Sequence, residues 1–207
     1  MDIIWKPEEI EARSMEIIEQ HVEELKLPAL EKMVIKRVVH STGDPALIPD
    51  ICIHPDACQE GIRAIVKGAA VFTDVNMTRA GINEDRLRRY GGSIHCTISE
   101  PGVSEAAARW GISRAAASMR LWGPGLDQAM VVIGNAPTAL FELLAMMEES
   151  SIKPALLIAV PVGFVGAVES KEKLIAAHPV PYITLRGTRG GSPIAAAIVN
   201  ALLYSLD

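Results

Sequence analysis

His40 is the residue of this chain best suited by type and position to acid–base chemistry. The segment from 36 to 45 reads Lys-Arg-Val-Val-His-Ser-Thr-Gly-Asp-Pro, so His40 lies where an apolar run ends and a turn begins. Such a junction can present a side chain at the mouth of a pocket. Histidine can exchange a proton near neutral pH, since its unperturbed pKa is about 6.5. Context alone does not separate this role from that of an ordinary histidine at a helix end.

A glycine-rich segment near the end of the chain is suited to binding anions. It reads Gly187-Thr-Arg-Gly-Gly-Ser-Pro193 and joins a predicted strand to the last predicted helix. Ser192 fits the N-cap of that helix, whose free N–H groups would suit phosphate or carboxylate. Arg186 and Arg189 add charged donors. The spacing is neither that of a P-loop nor Gly-x-Gly-x-x-Gly, and a capped connection without a ligand is the other interpretation.

Three further turns carry groups that either bind ligands or serve the local structure. In Gly134-Asn-Ala-Pro-Thr138, Asn135 or Thr138 can cap a helix or bind a ligand. Asp74 ends a strand, where an acid orients a ligand or accepts from neighbouring N–H groups. The turn 161–166 is unusually apolar, so it could form the wall of an aromatic ligand's pocket or pack in the interior.

The elements that must position these groups alternate between strands and helices over most of the chain. Pro7 opens a first helix with an apolar stripe of Ile10, Ile17, Ile18, Val22 and Leu25. The further helices are predicted at 30–39, 55–67, 84–90, 104–121, from the turn at 134–138 to 149, at 169–177 and at 192–206. Strands are predicted at 50–54, 69–75, 93–98, 129–133, 154–160 and 182–185.

This alternation predicts a single α/β domain over 1–207, with three layers (α/β/α) and a parallel or mostly parallel, mixed sheet. Ligands of such sheets bind beyond the carboxyl ends of the strands. The turns after Val75, Ile133, Val160 and Leu185 are therefore the expected place of a site.

The composition narrows the classes of partner. The 207 residues are 49% hydrophobic and only 4% aromatic, so aliphatic side chains must fill the core. A formal charge of −5 gives no basic footprint for nucleic acid. The sequence shows no signal peptide and no apolar stretch long enough for a membrane span, so neither a membrane nor a nucleic acid is expected as a partner.

The cysteines indicate a reducing cytoplasm. Cys52, Cys58 and Cys96 are odd in number and match no disulfide scaffold. His54 lies between the first two, but no second pair with zinc-site spacing follows. A bound metal is therefore not expected.

Taken together, the motifs resemble those of the precorrin-8X methylmutase family, also called cobalt-precorrin-8 methylmutase, of cobalamin biosynthesis. They run in order from residue 13 to residue 202, nearly the whole chain. The matching segments are Arg13-Ser-Met, Arg37-Val-Val-His-Ser-Thr-Gly-Asp44, Thr73-Asp-Val-Asn-Met77 with Gly81-Ile82, Gly134-Asn-Ala-Pro-Thr-Ala-Leu140, Pro161-Val-Gly-Phe-Val165 with Glu169-Ser-Lys171, and Arg186-Gly-Thr-Arg-Gly-Gly-Ser192 with Asn200-Ala-Leu202.

The resemblance implies an isomerase that works without a cofactor. It would move a methyl group from ring carbon 11 to ring carbon 12 of a tetrapyrrole, giving hydrogenobyrinate or, with cobalt, cobyrinate. His40 lies in the motif that holds the family's active-site histidine, which makes it the implied proton donor. A donor whose pKa lies near the working pH suits that task. The resemblance also implies a homodimer, and the product is expected to pass to the next enzyme of the pathway.

The substrate of this family is a polycarboxylate, so arginines and helix starts are the expected clamps. Cobalt would be held by the macrocycle, so no protein metal ligands are expected. Arg114 is favoured over Arg120 as the matching arginine. The implied substrate-binding residues are Arg13, Ser14, Thr42, Gly43, Asp74, Met77, Arg114, Asn135, Thr138, Phe164, Arg189 and Ser192.

Two other functions fit the sequence. A tetrapyrrole carrier would bind the product strongly without moving a methyl group. A nucleotide-dependent α/β enzyme would use the loop 187–192 for phosphate.

Overall fold

Helices and strands alternate along residues 3–206, the part of the chain that the computed structural model describes. The strands are β1 (Ile51–Ile53), β2 (Ala70–Thr73), β3 (Ser93–His95), β4 (Met130–Ile133), β5 (Leu156–Ala159) and β6 (Tyr182–Leu185). The helices are α1 (Pro7–Val22), α2 (Ala29–Thr42), α3 (Ala57–Val66), α4 (Asn76–Gly81), α5 (Glu84–Arg89), α6 (Pro101–Trp110), α7 (Arg114–Trp122), α8 (Pro137–Glu149), α9 (Ala167–Ala177) and α10 (Ser192–Tyr204). Pro45–Asp50 and Gly123–Leu126 form short 3₁₀ turns.

The six strands form one mixed sheet in the order β1-β6-β5-β4-β2-β3. Five of them are parallel, and β1 runs antiparallel to β6, with Ile51 opposite Leu185. Every residue of β4, β5 and β6 is buried, as expected for strands covered on both faces. The predicted α/β fold with a mostly parallel sheet is confirmed.

The core lies on both sides of this sheet. Within β4, Met130 and Val132 pack in the cluster formed with α2, α3 and α10, whereas Val131 and Ile133 pack in the cluster formed with α7, α8 and α9. The two sets alternate because successive side chains of a strand point to opposite faces. The helices therefore form layers above and below the sheet, with α10 packed along α2 on one side.

The prediction of one helix over 104–121 is wrong, because the chain forms two helices there. Gly111 ends α6 in the left-handed conformation, with φ of 66°. The Ser113 side chain then caps α7 by accepting from the Ala116 N–H at 3.1 Å. A glycine at the end of one helix and a serine cap at the start of the next outweigh the alanine-rich pattern.

Smaller differences concern the ends of elements. The strand predicted at 69–75 covers only Ala70–Thr73, and the short helix α4 follows it without having been predicted. In α1, Ile18 and Val22 are buried, whereas Ile10 and Ile17 stay exposed although they belong to the same apolar stripe. None of the helices described has the length and apolar character needed to cross a membrane.

Candidate active site

The predicted site residues gather mainly at the carboxyl edge of the parallel strands. The turns after β2, β4, β5 and β6 bring Asp74, Asn135, Phe164 and Arg189 to this edge. Since β1 is antiparallel, its beginning lies at the same edge, where the Asp50 carbonyl accepts from the backbone N–H of Arg186 at 2.8 Å. This is the edge where α/β sheets of this kind bind ligands.

His40 lies in the last turn of α2 and is exposed. It lines three cavities, with volumes of about 710, 270 and 260 Å³. The smallest also contains Ser14, His21 and Gly43, so the structure brings Ser14 of α1 and Gly43 at the end of α2 together with His40. Arg13 and Thr42 do not line the cavities that contain His40.

The largest cavity has a cationic wall that the sequence did not reveal. Arg37 and Arg86 both lie over the ring of Tyr204, with guanidinium carbons 4.8 and 4.5 Å from the ring centre. Arg37 also pairs with Glu11 at 3.0 Å. These residues come from α2, α5, α10 and α1, so no local motif could have predicted the arrangement.

The end of α2 is fixed by its own side chains. The Thr42 hydroxyl donates to the Val38 carbonyl at 2.9 Å, and Gly43 takes a left-handed conformation with φ of 65°. Asp44 then caps the following 3₁₀ turn by accepting from the Ala46 N–H at 2.9 Å. The Thr42 hydroxyl thus stabilises the helix end that carries His40.

Arg189 is bonded to two carboxylates of the turn that follows α2. Its guanidinium donates to Asp44 at 2.8 Å and to Asp50 at 2.9 Å, and also to the Ala46 carbonyl at 3.3 Å. The arginine predicted as a substrate clamp thus ties the β6–α10 loop to the turn after His40.

Lys171 of α9 also holds the β6–α10 loop. Its side chain is fully buried in α9, and its ammonium group donates to the Arg189 carbonyl at 2.8 Å. Burial lowers the pKa of Lys171 to about 8, while the charges of Glu172 and Asp50 act in the opposite direction. The lysine is therefore a buried amine whose charge is costly in the folded protein.

The low pKa of Lys171 makes stability depend on pH. The pKa falls from an ordinary value of 10.5 to about 8, so between these values the unfolded chain binds more protons than the folded one. Relative to Lys171→Met, the wild type should gain about 3 kcal/mol of unfolding free energy as pH rises through this window. Urea unfolding at both ends of the window measures this. Lys173→Met, which removes an exposed lysine paired with Glu148, should show no such trend.

Asp74 is buried and holds the β4–α8 loop. Its carboxylate accepts from the backbone N–H groups of Gly134, Asn135 and Ala136 at 3.0, 2.8 and 2.7 Å. Burial raises the pKa of Asp74, and these three donors together with the Thr78 hydroxyl oppose that effect. The carboxylate therefore shapes the loop that carries Asn135.

Ser192 belongs to the same buried group and is not the N-cap of α10. The N-cap is Gly191, and Ser192 is the first residue of the helix. The Ser192 hydroxyl is nearly inaccessible and accepts from the Thr78 hydroxyl at 2.9 Å. A side chain on Gly134 would meet the Ser192 Cα at 2.8 Å, so close packing of the two loops draws Ser192 inward.

Arg114 and Arg120 differ in their availability to a ligand. Both are exposed, but Arg120 donates twice to Glu142, at 2.7 and 2.9 Å. The Arg114 side chain forms no hydrogen bond or ion pair with any residue in the range 3–206. It begins α7 beside Ser113, whose hydroxyl lies 2.6 Å from that of Thr138.

The remaining predicted residues are polar groups of α1 and apolar side chains of the turns. Arg13 pairs with Glu16 at 2.7 Å, and Ser14 donates to the Ile10 carbonyl at 2.8 Å. Met77 and Phe164 are 71% and 94% exposed. Side chains of this kind leave apolar surface ready for a flat ligand or a protein partner.

Among residues 3–206, no group of three or more histidine, cysteine or acidic side chains could hold a metal ion. The fold and the polar and charged groups at its carboxyl edge define an α/β protein with a candidate ligand site at that edge.

Comparisons with known proteins give the family. The precorrin-8X methylmutase family matches residues 9–205. A cobalt-precorrin-8 methylmutase of Priestia megaterium is 41% identical over 98% of this chain and 89% of its own length. A precorrin-8X methylmutase of Pseudomonas aeruginosa is 44% identical over 85% of each chain. The structure of the precorrin-8X methylmutase of Thermus thermophilus superposes with a TM-score of 0.85 at 34% identity, covering 94% of this chain and 96% of that one.

The chain belongs to the precorrin-8X methylmutase family, whose members are isomerases of cobalamin biosynthesis. The resemblance in its motifs is thereby confirmed.

Proposed function

We propose that this protein catalyses the methyl shift from C-11 to C-12 of precorrin-8X or cobalt-precorrin-8, with His40 as proton donor. The bond from C-11 to the methyl group breaks as the bond from C-12 forms, so substrate and product are isomers and no redox cofactor is required. Protonation by His40 makes the macrocycle electron-poor and favours migration, and the proton returns to the imidazole once the methyl group has moved. The observation that carries the proposal is the position of His40, exposed at the end of α2 where three cavities adjoin.

The polycarboxylate substrate is held by charge and by apolar contact. Arg114 offers an uncommitted guanidinium, and the starts of α7 and α8 offer N–H groups beside Ser113 and Thr138. Phe164 and Met77 cover the face of the macrocycle, which their exposure supports. Positioning by these contacts would supply much of the catalysis.

The protein acts as a homodimer in this proposal. The uncovered apolar surface of the N-terminal region supports an interface there, since Trp5 is 81% exposed and Ile10 and Ile17 are also exposed. Sedimentation measures the mass in solution, and a monomer at micromolar concentration would contradict the homodimer.

Turnover with both forms of the substrate tests the function. We expect the purified protein to convert precorrin-8X, cobalt-precorrin-8 or both without an added cofactor, and to retain the coloured corrinoid product during gel filtration. Binding without conversion would identify a carrier instead. Stabilisation by a nucleotide but not by a corrinoid would favour the nucleotide-dependent alternative.

Arg114 should contribute to binding and Arg120 should not. Arg114→Met removes a charge that can bond directly to a substrate carboxylate, so the Kd for the product should rise about tenfold to 100-fold. Arg120→Met removes a guanidinium already bonded to Glu142, so the Kd should change less than about twofold. Titration of the corrinoid absorption measures both values. The reverse order of effects would assign the contact to Arg120.

A further inference from the structure

Lys171 is a buried charged group that the proposed chemistry does not use directly. Its side chain is fully buried and forms no ion pair with residues 3–206. Its hydrogen bond goes to the Arg189 carbonyl at 2.8 Å. A methionine of similar volume would avoid the cost of burying the charge. The contribution of the buried amine to the fold is therefore its bond with the Arg189 carbonyl.

Arg189 connects Lys171 to the turn after His40. Its backbone is held by Lys171, while its side chain donates to both Asp44 and Asp50. The loop itself has little freedom, because Gly190 lies directly against the carbonyls of Val160 and Pro161, where any side chain would collide. Movement at the Arg189 carbonyl would therefore reach the two carboxylates of the neighbouring turn.

Asp44 carries the connection back to the helix of His40. Its backbone N–H donates to the Thr42 hydroxyl at 3.3 Å, and that hydroxyl also donates to the Val38 carbonyl of α2. The Gly43 N–H donates to the Val39 carbonyl at 2.8 Å. A continuous series of hydrogen bonds thus joins the buried amine to the last turn of α2.

We propose that Lys171 is a positioning residue that, through Arg189 and Asp44, sets the place of His40 at the site. This inference rests on the proposed role of His40 as proton donor. It assigns Arg189 to holding the turn after His40, because its guanidinium is bonded to the carboxylates of Asp44 and Asp50.

Steady-state kinetics separate positioning from binding. Lys171→Met keeps the volume and removes the donor, so kcat should fall about tenfold or more while KM changes less than about twofold. Lys173→Met, on the same helix but with an exposed side chain paired with Glu148, should leave both constants unchanged. A normal kcat in Lys171→Met, or a rise in KM alone, would overturn the inference.

Asp44→Asn breaks the same connection at its exposed end. It removes the charge that pairs with Arg189 but keeps an oxygen to accept from the Ala46 N–H. We expect the same loss in kcat, and less than additive losses when it is combined with Lys171→Met. If Lys171→Met does not fold, Asp44→Asn alone tests the proposal. A normal kcat in Asp44→Asn would then overturn the proposed link between Lys171 and His40.

NMR of the His40 imidazole gives a readout that does not need activity. Its signals should shift in Lys171→Met and stay unchanged in Lys173→Met. If the wild type moves no methyl group, the proposed function fails, and the His40 signals still test the positioning. Identical His40 signals in Lys171→Met and wild type would overturn it.

Discussion

His40→Ala should lower the rate of the methyl shift by about 10²- to 10⁴-fold, the contribution expected of a positioned proton donor. Product affinity should change far less, because the contacts with the carboxylates come from other residues. The variant should also fold normally, since His40 is exposed in the last turn of α2 and its side chain belongs to no core cluster. Single-turnover kinetics with the protein in excess over the substrate measure the chemical step directly.

A second substitution at His40 and a control at another histidine test whether the loss is due to the proton donor. His40→Gln keeps a polar side chain without a proton that can be donated near neutral pH, so it should be as slow as His40→Ala. His178→Asn serves as the control, because His178 precedes β6 at the amino edge of the sheet and has a left-handed backbone that asparagine tolerates. A rate in His40→Ala within about threefold of wild type, well short of a general-acid contribution, would remove His40 from the chemistry.

Asp74→Asn should lower the free energy of unfolding. The Asp74 carboxylate accepts from three backbone N–H groups and is fully buried, so an amide would turn its NH₂ group toward at least one of these donors. A buried donor left without an acceptor costs about 1–3 kcal/mol. The amide also removes a buried charge whose desolvation raises the pKa of Asp74, and this offsets part of the cost. We expect the free energy of unfolding to fall by about 1–3 kcal/mol.

Urea unfolding at neutral pH measures this loss. Asp127→Asn is a matched control, because the exposed Asp127 accepts from one backbone N–H, that of Lys153, at 2.9 Å. It should change stability by less than about 1 kcal/mol. Equal effects of the two substitutions would contradict a special role for the buried carboxylate.

The sheet and most helices could be predicted because their signals are local. Apolar runs bounded by glycine and proline marked the buried strands, and their alternation with helices required a mostly parallel sheet. The carboxyl edge as the expected place of the site followed from that topology. The break between α6 and α7 depended on one glycine and one serine cap, whose combined effect the alanine-rich pattern obscured.

The parts of the site that the sequence did not reveal depend on contacts between distant residues. Arg189 meets Asp44 across 145 positions, and Arg37, Arg86 and Tyr204 come from three separate helices. The sequence predicts Ser192 as a helix cap, whereas in the structure it packs closely against Gly134 and bonds to Thr78 in the interior. Such roles require the tertiary structure, whereas the type and position of His40 alone were enough to make it a candidate.

Following a labelled methyl group through the reaction tests the central claim most directly. Precorrin-8X or cobalt-precorrin-8 carrying ¹³C in the C-11 methyl group is incubated with the purified protein, and the carbon is followed by NMR. We predict that the label appears at C-12 with wild type and stays at C-11 with His40→Ala. A wild-type protein that binds the labelled corrinoid but leaves the methyl group at C-11 would contradict the account.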